Sequence, residues 1–422
     1  MRFFYTIIFY FLLPFILLRL FIKIRFTPLV LQFWYECLGI GLRLAPSGGI
    51  WLHAVSVGES LTAIPLIKAL QLRYPAIPIV VTNETINGAE RIRVGLGNSV
   101  TRLYFPYDLP LILKKFFNKL RPRLLILLET ELWPNLLATC HLYQVPVILI
   151  NGRLSERSAR AYRRILPVTQ RMLKSINLLA AQFQADADRF MALGLPKDRI
   201  HVTGNLKFDL KLPPQLSTEA KKLRAHWGKD RLVWIAASTH PGEEELIAEA
   251  FSQVQSCLAN VLLVSVPRHV ERAAQLEYLY RSQGLEVIKR SQQKPCTSTT
   301  DVFIGDTMGE LLSFYAAADL AFVGGSLVEK GGQNPLEPAA VGLAILTGPY
   351  TFNFESITEQ LKQRGIEIQV NNAQELAKQV VFLLSNPAKR QQMGMDAKKF
   401  VQENKGVVLK QMQLIENFIN LS

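Results

Sequence analysis

At 422 residues the chain is too long for one average domain, and a hydrophobic content of 49% supports two sizeable cores and argues against general disorder. A net charge of +14 points to an anionic partner: nucleic acid, an acidic membrane face or a phosphorylated substrate. Cys37, Cys140, Cys257 and Cys296 lie far apart with no CxxC pair, which excludes a disulfide framework and a zinc ribbon and fits a reducing compartment.

Phe3 to Ile22 is almost continuously apolar, interrupted by Thr6, Pro14 and Arg19. About twenty such residues can cross a bilayer, so residues 1–25 are expected to anchor the chain by a membrane helix. A helix lying in the interface is the alternative. No small-residue cleavage site follows, which argues against a removed signal peptide. Arg19, Lys23 and Arg25 against Arg2 place the main body in the cytoplasm.

From Gly49 onward short apolar runs alternate with helical stretches. Strands are predicted at Ile50–Val55, Ile77–Thr82, Arg102–Phe105, Leu124–Leu128, Val147–Ile150, Leu178–Ala181 and Ile200–Thr203, with helices such as Glu59–Arg73 and Leu132–His141 between them. Lys207 to Thr218, with Pro213-Pro214, reads as a linker. A second series follows at Leu232–Ala237, Val261–Val264, Val302–Ile304, Leu320–Val323 and Ala344–Leu346, then a helical tail from Ala388 to Leu421 that could fold back on either half. Alternating strand and helix means parallel sheets covered on both faces. The α/β fold expected is therefore two doubly wound, Rossmann-like domains, 26–210 and 211–422, with a cleft between them and ligands at the carboxyl ends of strands.

Those ends carry the chemistry. Glu59 opens the helix after the first strand, where it could take a proton from a hydroxyl, although first-turn acids are common for reasons of the helix dipole alone. Glu129 and Glu131 end another strand. Arg153 to Lys174 holds seven basic residues and one acidic one, either a solvated face or a contact for phosphate or anionic lipid; no nucleic-acid motif accompanies it. Lys207 stands near the linker, a surface lysine or a cation for a leaving phosphate. In the second half Pro267-Arg268-His269 and Met308-Gly309-Glu310 follow strands. Ala321 to Ala340, AFVGGSLVEKGGQNPLEPAA, combines a strand, two glycine pairs and an Asn334-Pro335 helix start with Glu337 three residues after the cap. That is a phosphate-binding corner or an ordinary turn with a capping box. Ser238-Thr239-His240 also sits at a strand end and could be only an N-cap. Asp186 and Asp188 form a DxD pair, read as first-turn acids rather than metal ligands.

Taken in order, HAVSVGES, ETELWPN, NGRLS, GNLKFD, VPRH, GDTMGEL and FVGGSLVEKGGQNPLEPAA, together with the apolar N-terminus, resemble the 3-deoxy-D-manno-octulosonic acid (Kdo) transferases of lipopolysaccharide synthesis over nearly the whole chain. The resemblance implies a glycosyltransferase-B fold, CMP-Kdo as donor, the phosphorylated lipid A precursor as acceptor, membrane association and no metal or other cofactor. It implies Glu59 as general base and Glu129 with Lys207 as transition-state stabilisers, Glu131 remaining an alternative to Glu129. It further implies that Pro267, Arg268, Met308, Gly309, Glu310, Asn334, Pro335, Leu336 and Glu337 hold CMP, with Glu337 on the ribose. Gln333 stands where many relatives have His. A sugar-nucleotide epimerase of the same fold is the competing activity.

Overall fold

The computed structural model describes residues 2–23, 28–42 and 45–419, which divide into two compact units. Arg25, the expected boundary between 25 and 26, and the end of the expected tail lie outside those residues.

The first unit holds seven parallel strands: β1 (Ile50–His53), β2 (Ile79–Asn83), β3 (Thr101–Tyr104), β4 (Leu124–Leu128), β5 (Val147–Gly152), β6 (Leu178–Ala181) and β7 (Ile200–Val202). Their order is β3-β2-β1-β4-β5-β6-β7. The chain winds outward one way from β1 and then the other way from β4, so β1 and β4 flank the switch point where such sheets bind ligands. Alternation along the strands feeds two cores. Trp51, Leu125, Leu127 and Leu149 face one, while Leu52, Ile126, Ile148 and Ile150 face the other.

The second unit repeats the plan with β8 (Leu232–Thr239), β9 (Val261–Pro267), β10 (Val287–Lys289), β11 (Val302–Ile304), β12 (Leu320–Val323), β13 (Ala344–Thr347) and β14 (Glu367–Gln369). The order is β10-β11-β9-β8-β12-β13-β14, all parallel. Here the switch point lies between β8 and β12. β10 and β14 escape a pattern search because each is three residues long and sits at a sheet edge.

Two expectations need correction. The end of the chain was assigned to the second domain, 211–422, yet Lys405–Ser422 belongs with the first unit. The helix Val407–Ile419 buries Met412, Ile415 and Ile419 against Leu66, Ile67 and Leu70. Its start is fixed by Asp209, whose carboxylate accepts from the Gly406 and Val408 amides at 2.6 Å each. Sequence distance hid this, because the helix returns across the entire second unit. Truncating Ile415, which is fully buried, to Ala is expected to cost about 2–4 kcal/mol. Calorimetry should show the loss in the first unit's transition, with the second unit's unmoved.

The other correction is the membrane-spanning helix. Arg2–Lys23 is helical, but no helix among the described residues is long and apolar enough to cross a membrane. One face is committed to protein instead: Phe9 and Leu13 pack on the first unit's core, and the Thr6 hydroxyl donates to Asn135 Oδ1 at 3.1 Å. Phe3, Phe4, Ile8, Phe11 and Phe15 are exposed.

Candidate active site

In the first unit the carboxylates converge on the β1/β4 switch point. Ser56 caps the helix Val57–Arg73, and Glu59 completes a reciprocal capping box. Glu59 is 8% exposed. Its carboxylate accepts from the Val55 amide at 2.8 Å and from the Ser56 hydroxyl at 2.9 Å. The structural role and the proposed chemical one therefore coexist: the box aims the carboxylate, and Oε2, which accepts only from Val55, keeps a further lone pair for a substrate hydroxyl. Burial, then the charge of Glu129, raises the Glu59 pKa, with the hydrogen bonds from Val55 and Ser56 pulling back.

Glu129 follows β4 with φ of 56°, a left-handed conformation that a non-glycine residue adopts at a cost. Asn151, near the end of β4's neighbour β5, and Ser238, near the end of β8, do the same, at 51° and 58°. Asn151 uses its turn to anchor the Lys207 segment, since its Oδ1 accepts from the Leu206 amide at 3.0 Å. Asn205 caps that short turn and donates to Gln182. Lys207 is thereby held near Glu129 and Glu59, whose charges favour its ammonium, while burial is the larger effect and lowers its pKa.

Glu129 and Glu131 part company. Glu129 shares a field with Lys207, whereas Glu131 accepts from Trp133 Nε1 at 2.8 Å. Burial, then Glu59, pushes the Glu131 carboxyl up to about 8. His53 and Glu84, which pattern reading did not single out as a group, stand beside Glu131. The signal available was a third strand-end acid, Glu84 directly after β2. Asp186 and Asp188 do not act as a pair: Asp186 is buried and accepts from the Leu154 amide at 2.9 Å, while Asp188 points outward. Arg157, Arg160, Arg163 and Arg164 are exposed on the helix Glu156–Arg164.

In the second unit the first glycine pair is not the phosphate cradle that the strand–glycine–helix pattern predicts. Glu243, fully buried, occupies it. One carboxylate oxygen accepts from the Gly325 amide at 2.7 Å and the His240 amide at 3.3 Å. The other accepts from Ser326 at 3.0 Å and Leu327 at 2.9 Å. An internal anion already satisfies those donors. Gly324 is required because a Cβ there would lie 2.8 Å from the carbonyl oxygens of both Ala237 and Ser238.

The structure places the other residues expected to hold CMP at strand ends, in loops and at a helix start of the second unit. Pro267 ends β9 and Arg268 stands exposed after it, its amide bonded to Thr239 O at 2.9 Å. Asn334 Oδ1 accepts from the Leu336 amide at 3.1 Å and its Nδ2 donates to Glu337 at 3.2 Å. The helix itself runs Leu336–Val341, with Pro335 as its cap, slightly later than predicted. Burial raises the Glu337 pKa, opposed by Asn334 and by the charge of Arg268, so those three act on one another. Met308 is exposed and Gly309 turns with φ of 85°. The Glu310 carboxylate is held by Arg290 at 2.8 Å and by the Thr307 hydroxyl. His240, in the strand-end Ser238-Thr239-His240 run, joins the group: its ring meets Gln333 Nε2 at 3.2 Å, and burial followed by His269, Arg268, Lys330 and Arg272 lowers its pKa. That crowding of positive groups suits an anionic ligand.

Residues 32–210 match the family model for 3-deoxy-D-manno-octulosonic-acid transferase, and residues 284–400 match that for glycosyl transferases group 1. A 3-deoxy-D-manno-octulosonic acid transferase from Haemophilus influenzae is 40% identical over 375 residues, covering 89% of this chain and 88% of that protein. One from Bordetella pertussis is 33% identical, covering 88% and 87%. Among solved structures, Anabaena HepE in complex with UDP superposes with a TM-score of 0.57 at 14% identity, covering 88% of this chain and 100% of that one. That likeness supports the two-unit α/β fold.

Proposed function

The chain belongs to the 3-deoxy-D-manno-octulosonic acid transferase family, and on that premise we propose that it moves Kdo from CMP-Kdo to the phosphorylated disaccharide precursor of lipid A, lipid IVA, with inversion at the anomeric carbon. The observation that carries the reading is Glu59: a carboxylate aimed by its capping box, raised in basicity by burial, at the switch point of the unit that matches the transferase model. Glu59 takes the proton of an acceptor hydroxyl. The freed oxygen bonds to the anomeric carbon of Kdo as the bond to the CMP phosphate breaks, and CMP leaves with both electrons. Lys207, with Glu129 beside it, supplies a cation in a poorly solvated setting, where it acts most strongly. On the donor side Arg268 pairs with phosphate, and Glu337, steadied by Asn334, accepts from the ribose hydroxyls. The transfer step needs no metal on the donor phosphate.

The exposed apolar face of the N-terminal helix lies in the cytoplasmic leaflet of the inner membrane, and the arginines of Glu156–Arg164 meet the phosphates of the lipid acceptor. Mass analysis tests the whole reading. Purified protein given CMP-Kdo and lipid IVA should yield a product heavier by one or more Kdo units, with release of CMP. Acceptor recovered unchanged, or donor converted to an isomer without acceptor, would sink it.

A further inference from the structure

Beside the transfer machinery, the ends of the adjacent strands β2, β1 and β4 bring together three side chains that the transfer step leaves unused. His53, Glu84 and Glu131 each offer one ligand atom, and these atoms lie within 4.8 Å of one another. His53 is fully buried, its ring stacked on Phe105 with centroids 3.8 Å apart. His53 Nδ1 sits 3.1 Å from the carbonyl oxygen of Thr82. A carbonyl can only accept, so Nδ1 carries the proton and Nε2 presents a lone pair. Nε2 faces Glu84 Oε1 at 3.8 Å, too far for a hydrogen bond. Neither atom has a hydrogen-bond partner among the described residues.

Once both acids are ionised, an imidazole lone pair and two carboxylates thus converge with no donor between them. A water has two hydrogens for three acceptors; a cation satisfies all three. We propose that His53, Glu84 and Glu131 form a binding site for a first-row divalent transition cation of the zinc or manganese kind. The nitrogen ligand favours such ions over calcium or magnesium, which prefer oxygen alone. Zinc bonds of about 2.0–2.2 Å need the ligand atoms closer together than they stand, and the partly exposed Glu84 side chain is the one with room to move in. The outer shell is in place as well. Thr82 fixes His53 and is itself fixed by Trp51 Nε1 at 2.9 Å, while Trp133 Nε1 holds Glu131 at 2.8 Å. Glu84, with a side chain 33% exposed, leaves a way in. A cation here neutralises two of the carboxylates crowded around Glu59, a role separate from any contact with donor phosphate.

The test reads binding and not transfer, so it stands or falls independently of the proposed activity. Full-length protein stripped with a chelator is titrated with Zn²⁺ by calorimetry and with Co²⁺ by visible absorption. One equivalent should saturate, with Co²⁺ d–d bands of a mixed nitrogen–oxygen site. Glu84→Gln and Glu131→Gln should each weaken binding about 10-fold or more. Glu90→Gln, which alters an exposed acid paired with Arg93, should change nothing. Both ligand substitutions keep side-chain size at partly exposed positions, and circular dichroism verifies that the variants fold. Absence of a one-equivalent site for both ions, or unchanged affinity in either ligand variant, overturns the proposal.

Discussion

Glu59→Gln is expected to lower kcat about 10²–10⁴-fold, the usual contribution of a positioned general base, with little change in KM. The substitution isolates proton transfer because glutamine keeps one of the two oxygens to which the Val55 and Ser56 amides separately donate, and the helix cap should lose about 1–3 kcal/mol for the amide left facing the new NH2 group. A pH profile separates a base from a mere anchor. The base works ionised, and burial followed by Glu129 raises its pKa, so kcat/KM should fall as pH drops through a value above the ordinary glutamate range. That acid limb should vanish in the variant's residual activity. A Glu59→Gln enzyme with normal kcat would remove the base assignment and leave Glu59 as a cap alone.

The carboxylate was legible because its signature is local: Ser56, Glu59 and the end of an apolar strand fall within one short stretch. Strands β4, β6, β11 and β12 were legible residue for residue for the same reason, as uninterrupted buried runs. What depends on strand adjacency was not. Nothing in the spacing of His53, Glu84 and Glu131 says that β2, β1 and β4 lie side by side, and only that order makes the three side chains neighbours. Left-handed backbone at Glu129 and Ser238 was equally invisible, because the residue types that announce such turns are glycine and, as at Asn151, asparagine. The C-terminal helix went to the wrong unit because a pattern shows an apolar face but not its partner; Asp209, which receives the helix start, lies 197 residues before Gly406.

Glu243 is the strongest case of a residue that spacing conceals. It belongs to an acidic stretch that looks like an ordinary helix start, yet it reaches residues 82 to 84 positions away to hold the loop after β12. Glu243→Ala would leave the buried amides of Gly325, Ser326 and Leu327 without their acceptor, together with that of His240. At about 1–3 kcal/mol for each unsatisfied donor, the second unit should lose about 4 kcal/mol or more, seen as a lowered thermal transition. Water entering the vacated space would reduce the loss, and Glu243→Gln bounds that effect by restoring one acceptor while adding an amide donor that faces other donors. Both variants should bind CMP weakly even at temperatures where the unit remains folded, because the loop that Glu243 anchors continues through Gln333 into Asn334 and Glu337. A Glu243→Ala protein with an unchanged transition and unchanged CMP affinity would mean that the carboxylate merely fills a space that the glycine loop can hold without it.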